Sequence, residues 1–317
     1  MRSKIVGTGS YLPKRVVTNA ELAKTVDTTD EWIYERTGIR SRHISNNAET
    51  TSYMATKAAE QAIAAAGLTP NDIDLIIVGT TTPDTSFPGV STQVQGALGM
   101  TRGAAFDLQA ACSGFIYGMR LADMLICSEQ EKNILVIGAE RFSNMVDWTD
   151  RSTCVLFGDG AGAVVLQAST GESGLIDTAI YSDGSKNDLL YASGGIGTTQ
   201  TIGTVVMQGR EVFKYASRAL AQVVDDILLK NNLTRQDVDW LVPHQANKRI
   251  IDATAKILEL PAEKVVLTVS HHANTSAASI PLALHHAVER RTFKEGDLLL
   301  LEAFGAGFTW GGALIRW

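Results

Sequence analysis

A stretch in the first half of the chain returns in the second, and this repetition limits the possible folds more than any other feature. LTPNDIDLIIV (Leu68 to Val78) matches LTRQDVDWLVP (Leu233 to Pro243), with the leucine, the threonine and both aspartates in register. Leu68 and Leu233 lie 165 residues apart. ILVIGAE (Ile134 to Glu140) pairs with LLLLEAF (Leu298 to Phe304) at an offset of 164 residues, and GAGAVVL (Gly160 to Leu166) resembles WGGALIR (Trp310 to Arg316). Three matches in the same order indicate duplication. Two similar halves are expected, 1–170 and 171–317, packed about a pseudo-two-fold axis. No low-complexity linker separates them, so they should form one body.

The class of each half follows from its runs. IDLIIVGT, KNILVIGAE, VDWLVPH and DLLLLEAF are near-continuous apolar segments of the kind buried on both faces of a sheet. Amphipathic segments alternate with them: MATKAAEQAIAAAG, SGFIYGMRLADMLI, EVFKYASRALAQVVDDILLKN and SIPLALHHAVER. The fold class is α/β. A length of 317 residues gives ample core, and 45% hydrophobic with 20% charged residues is ordinary for a globular protein. A net charge of −6 argues against general nucleic-acid binding. No apolar run is long enough to span a membrane, and MRSKIVGTGSYLP reads as a first strand rather than a signal peptide. The three cysteines form no C-x-x-C pair, so neither a disulfide framework nor a metal site is expected, and a cytoplasmic setting fits.

In α/β folds, ligands meet the carboxyl ends of strands. Three chemically capable residues sit just past apolar strands. Cys112 follows AAFDLQA, His244 ends DWLVP, and Asn274 follows KVVLTVS. A cysteine at the start of a helix feels unpaired N–H groups and the positive end of the dipole, which favour thiolate. Each residue also has a plainer reading: a packing thiol, a turn histidine and a helix cap. Cys127 and Cys154 read as packing, and His43, His285 and His286 as surface or interface residues. His271 and His272 lie close enough to Asn274 to reach the same pocket.

Taken together, AACSGF, VPHQAN and NTSAAS, with DEWIYERTGIRSRH, FGDGAGAVVL and LEAFGAGFTWGGALIRW, resemble the β-ketoacyl-acyl carrier protein synthase III family of thiolase-fold condensing enzymes. The resemblance runs from the first strand to the last residue. It implies a duplicated thiolase-like fold in five layers, α-β-α-β-α. It also implies the initiating condensation of type II fatty acid synthesis, in which acyl-coenzyme A, with acetyl the expected primer, and malonyl-acyl carrier protein give 3-oxoacyl-acyl carrier protein, carbon dioxide and coenzyme A. Cys112 would carry the acyl group as a thioester. Neutral His244 and Asn274 would donate hydrogen bonds to the enolate, each worth about 3 kcal/mol. Backbone N–H groups of Cys112 and Ala306 would form a second oxyanion hole.

The same resemblance assigns coenzyme A contacts to Thr28, Trp32, Arg36, Arg151, Gly209, Phe213, Asn247 and Arg249. It assigns carrier-protein contacts to Gln245, Ala246, Asn247, Lys248 and Arg249, and the acyl pocket to Phe87 and Met207. It implies a homodimer, with Phe87 crossing the interface, and no metal or redox cofactor; coenzyme A enters as the thioester substrate. Two residues depart from the family pattern. Ala306 and Ala273 stand where glycine is usual, and ordinary φ is expected at Ala306. Rival readings are another thiolase-fold acyl transfer such as a secondary-metabolite synthase, a papain-like hydrolase with the same Cys-His-Asn order, and an inactive carrier-binding subunit.

Overall fold

The computed structural model describes all 317 residues. Five strands form the first sheet: β1 (Arg2–Tyr11), β2 (Leu75–Gly79), β3 (Ala104–Leu108), β4 (Asn133–Arg141) and β5 (Asp159–Ser169), in the order β1-β5-β4-β2-β3. Four form the second: β6 (Gly174–Ser182), β7 (Trp240–Pro243), β8 (Leu298–Gly305) and β9 (Thr309–Arg316), in the order β7-β8-β9-β6. Pairing repeats with the order. β2 runs parallel to β4 and β7 parallel to β8, while β5 and β9 lie antiparallel on the far sides.

The sequence repeat is a local folding instruction kept twice. Before β2, Thr69 and Asp72 close a capping box on a single 3-10 turn, with Thr69 Oγ1 donating to Asp72 Oδ2 at 2.6 Å. Before β7, Thr234 and Asp237 do the same at 2.7 Å. In both copies the turn satisfies its own N–H groups and aims the chain into an apolar strand.

Alternation along the strands separates the layers. Leu75 and Ile77 of β2 join an inner core with Leu299 and Leu301 of β8, and Ile76 and Val78 point outward. Helices α2 (Gly114–Cys127) and α5 (Ser279–Glu289) fill that inner core between the sheets. Helix α1 (Thr51–Ala65) covers the outer face of the first sheet. Helices α3 (Gly209–Lys230) and α4 (Lys248–Ile257) cover the outer face of the second. The result is the expected five layers. No helix is long and apolar enough to cross a membrane.

One expected strand is missing. KVVLTVS makes a single bridge, Leu241 to Val265, and then turns into a short helix, Val269–His272. The buried Gln245 side chain explains this. It donates to the Val266 carbonyl at 3.0 Å and accepts from the N–H groups of Thr268 and Val269, taking backbone groups a ladder would use.

The sheets and inner helices meet at glycine. A Cβ on Gly138 of β4 would lie 2.1 Å from the Ala277 carbonyl oxygen just before α5. Gly138→Ala is therefore expected to cost about 2–3 kcal/mol, typical of overpacking, and to lower the thermal midpoint by roughly 4–12 °C. Gly96, exposed in the helix Val90–Ala97 with open space around it, is the control. Gly96→Ala should raise stability by about 0.5 kcal/mol in the same calorimetric comparison.

Candidate active site

Cys112 lies in a one-turn 3-10 helix, Ala111–Ser113, that runs directly into α2. His244 follows β7, and Asn274 lies between the short helix Val269–His272 and α5. All three are buried and line one cavity of about 1340 Å³. Two of its walls come from opposite halves of the chain.

Each residue is held so that one chemical group faces the cavity. Asn274 N–H donates to the Leu156 carbonyl at 2.9 Å, and its own carbonyl accepts from Gly158 N–H at 3.0 Å. The side-chain Oδ1 accepts from Ser276 N–H at 2.8 Å, which leaves the Nδ2 amide free to donate. His244 Nδ1 is 2.5 Å from Ser279 Oγ, and that oxygen also accepts from Gln245 N–H. The Ser279 hydroxyl proton then has Nδ1 as its acceptor, so accounting assigns the imidazole proton to Nε2. Burial lowers His244 to about 3, so the ring is neutral. The two donors expected from sequence are both presented.

Cys112 differs from expectation in one respect. Burial pushes its thiol up to about 12, against a smaller lowering from Ser276 and its own backbone. Burial thus opposes the thiolate that the helix start favours. Next to the thiol, the Cys112 and Ala306 N–H groups have no acceptor within the chain. A Cβ on Gly305 would lie 2.7 Å from the Cys112 nitrogen, so the turn Gly305 to Gly307 touches the cysteine backbone. Ala306 has ordinary φ, as expected. Ala273 does not: at φ 58 and ψ −159 it occupies a region suited to glycine, at a cost of about 1–3 kcal/mol.

The cavity is also lined by Trp32, Arg36, Met207, Gly209, Phe213, Ala246, Asn247 and Arg249. Arg36 and Arg151 each place a guanidinium carbon 4.8 Å from the Trp32 ring centroid. Asn247 caps α4 by accepting from Arg249 N–H and donates to the Arg36 carbonyl. Thr28 and Arg151 lie outside the lining, although Thr28 Oγ1 is buried without a partner. Phe87 is 85% exposed and does not line its own chain's cavity. Lys248 pairs with Asp252 on α4. Gln245 is fully buried, and this overturns its reading as a surface contact: its amide holds the loop that precedes Asn274.

Two stretches of the chain match the family models. Residues 106–184 match 3-oxoacyl-[acyl-carrier-protein] synthase III, and residues 228–317 match its C-terminal model. The β-ketoacyl-[acyl-carrier-protein] synthase III of Paramagnetospirillum magneticum is 59% identical over all of this chain and 99% of its own. The crystal structure of the Aquifex aeolicus 3-oxoacyl-[acyl-carrier-protein] synthase III superposes with a TM-score of 0.95 at 50% identity, covering 99% of this chain and 100% of that one. A priming β-ketosynthase of a polyketide pathway superposes with a TM-score of 0.94 at 36% identity, covering 99% and 96%.

The chain belongs to the β-ketoacyl-acyl carrier protein synthase III family. Its members are acyltransferase-class condensing enzymes of the thiolase fold that initiate fatty acid synthesis.

In this family member several residues around the site carried no signal in the sequence. Ser276 and Ser279 stand at helix starts, where serine is common. Glu140 and Glu302 end apolar strand runs, where a buried carboxyl is not anticipated. His285, read as a surface or interface residue, is buried against Thr8, and Cys127, read as packing, is exposed. His271 and His272 stay outside the cavity, and the His272 ring packs edge-on to His43 and His286.

Glu302 is fully buried beside His244, whose N–H donates to its carbonyl, and burial raises its carboxyl to about 8. The folded state thus keeps a proton that the unfolded chain loses above about pH 4.5, so stability from this group falls as pH rises toward 8. Glu302→Gln removes that dependence. Relative to the parent, its stability should rise by about 1.4 kcal/mol per pH unit between pH 5 and 8, measured by urea unfolding.

Proposed function

We propose that this enzyme joins an acyl group from coenzyme A, acetyl as the expected primer, to malonyl-acyl carrier protein, with Cys112, His244 and Asn274 as its chemical groups. One observation carries the assignment: a cysteine, a neutral histidine and an asparagine with a free Nδ2, drawn from both halves of the chain, line one cavity.

In the first half-reaction the Cys112 sulfur bonds to the acyl carbon, and the carbon–sulfur bond to coenzyme A breaks. The tetrahedral oxyanion receives the N–H groups of Cys112 and Ala306. In the second, malonyl thioester loses carbon dioxide, and the electron pair moves onto the thioester as an enolate. Nε2–H of His244 and Nδ2 of Asn274 donate to the enolate oxygen. A neutral donor lowers the enolate's energy without quenching its carbon. That carbon attacks the acyl group, and Cys112 leaves.

Trp32 flanked by Arg36 and Arg151 suits a purine, held by stacking and cation–π contact. Thr28, Gly209, Phe213, Asn247 and Arg249 complete the coenzyme A path in this reading, and the unpaired Thr28 hydroxyl supports its inclusion. Ala246, Asn247, Lys248 and Arg249 are proposed to meet the carrier protein at the mouth. Met207 bounds the acyl end. Phe87 and the exposed edge strand β3 support a homodimer in which Phe87 reaches the partner's pocket. A cytoplasmic setting belongs to the same reading, and the chemistry calls on no metal or redox cofactor.

A second reading, priming of a polyketide-type chain with a longer acyl group, is favoured by the structural likeness to the priming β-ketosynthase. Intact-protein mass after incubation with a panel of acyl-coenzyme A esters separates the two. Gain of one acetyl group, absent in Cys112→Ala, is expected. Preference for longer esters would favour the second reading, and no gain with any ester would refute both. Asn274→Ala should still acquire the acyl group but form condensation product about 10²–10³-fold more slowly.

A further inference from the structure

The main chain of Asn274 is held by a short segment of the other half, and that segment rests on one buried charge. Val155, Leu156 and Phe157 line the cavity just ahead of β5. Asn274 N–H donates to the Leu156 carbonyl at 2.9 Å, and Gly158 N–H donates to the Asn274 carbonyl at 3.0 Å. Phe157 and Asn274 form a single parallel bridge outside both sheets, so no ladder extends the pairing. Ala273, the residue before Asn274, has a φ of 58. Backbone in that region persists only where its surroundings over-determine it. A segment free to shift would therefore release Asn274 as well.

Arg42 braces this segment. It belongs to Ser41–Ile44, which pairs with Arg15–Thr18, and its side chain is fully buried. Nη2 donates to the Val155 carbonyl at 3.0 Å and to Asn19 Oδ1 at 2.9 Å, and Nη1 donates to the Val17 carbonyl at 3.2 Å. A Cβ on Gly158 would lie 3.2 Å from the Arg42 Cβ. The residue thus meets the segment at both ends, its head on Val155 and its stem at Gly158. No carboxylate pairs with it directly. Asp30 is linked to it through Asn19, whose Nδ2 donates to Asp30 Oδ1 at 2.8 Å, and Arg42 Nε has no partner. Burying a charge among neutral acceptors is costly, and an apolar side chain of similar volume often serves stability as well. The rigid fork does what an apolar side chain cannot: it holds the Val155 carbonyl at a set place.

We propose that Arg42 is a positioning residue for the condensation step, fixing the segment Val155 to Gly158 and, through it, the place of Asn274. It touches no reacting atom. Asn274 serves the enolate and not the acyl transfer to Cys112, so Arg42 should matter to the second half-reaction and not to the first.

This rests on Asn274 as an enolate donor, so the test is a cycle of four proteins: the parent, Arg42→Met, Asn274→Ala and the double variant. Acylation of Cys112 at saturating acyl-coenzyme A is timed by intact-protein mass, and condensation by the 3-oxoacyl product formed with malonyl-acyl carrier protein. Arg42→Met should acylate within about twofold of the parent and condense about 10–100-fold more slowly. In the Asn274→Ala background the same change should cost less than about twofold more, because the amide it places is already gone. Arg42→Lys keeps the charge without the fork and should show the same split with a smaller loss. If Arg42→Met does not fold, Arg42→Lys takes its place in the cycle. Equal losses in both half-reactions, an undiminished loss in the Asn274→Ala background, or condensation at the parent's rate would overturn the proposal and leave Arg42 as a tie for Val17 and Asn19. Condensation at the parent's rate by Asn274→Ala alone would instead refute Asn274 as the donor, and the proposal with it.

Discussion

Backbone meets backbone where the two halves join, and everything at the site follows from how closely they approach. Gly138 of β4 lies against the Ala277 carbonyl, and Gly305 of β8 against the nitrogen of Cys112. Neither contact has room for a methyl group. With these gaps closed, the cysteine turn is pressed between the carboxyl ends of strands from both sheets. The Cys112 and Ala306 N–H groups are left with nothing in the chain to occupy them. A side chain at either glycine would open the seam and separate the donors from the sulfur.

Burial is the second constraint, and it acts on three titratable groups of the cavity in the same sense. Each group is driven to its uncharged form: Cys112 upward, His244 downward, Glu302 upward. For His244 this suits the proposed role, since a neutral donor would stabilise an enolate without protonating it. For Cys112 it is a cost, because attack needs the proton removed. Around Glu140 the donors are hydroxyl and amide groups, and burial still raises its carboxyl to about 7.

Much of this could be read from the chain, for physical reasons. The repeats at Leu68 and Leu233 were legible because a Thr–Asp capping box is a contiguous signal, and both copies fold as written. Cys112, His244 and Asn274 were legible because each follows an apolar run. The strand expected over KVVLTVS fails because a side chain from elsewhere, Gln245, takes its backbone partners. A local pattern cannot report that. Glu140 and Ser276 stayed hidden for the same reason: 136 positions separate them in sequence, and the fold brings them to 3.1 Å. The helix start at Cys112 was legible as a position, while the burial that opposes its thiolate was not, because depth is not written in neighbouring residues.

The backbone of Asn274 hangs from Leu156 and Gly158, residues of the other half. Its main chain is therefore placed by the first half, while Ser276 of its own half orients the side-chain amide. Warming that loosens the seam while both sheets remain intact would disarm the enolate site first, so heat inactivation should precede melting. The working temperature of such an enzyme is set by the joint between its two halves rather than by the cores of either.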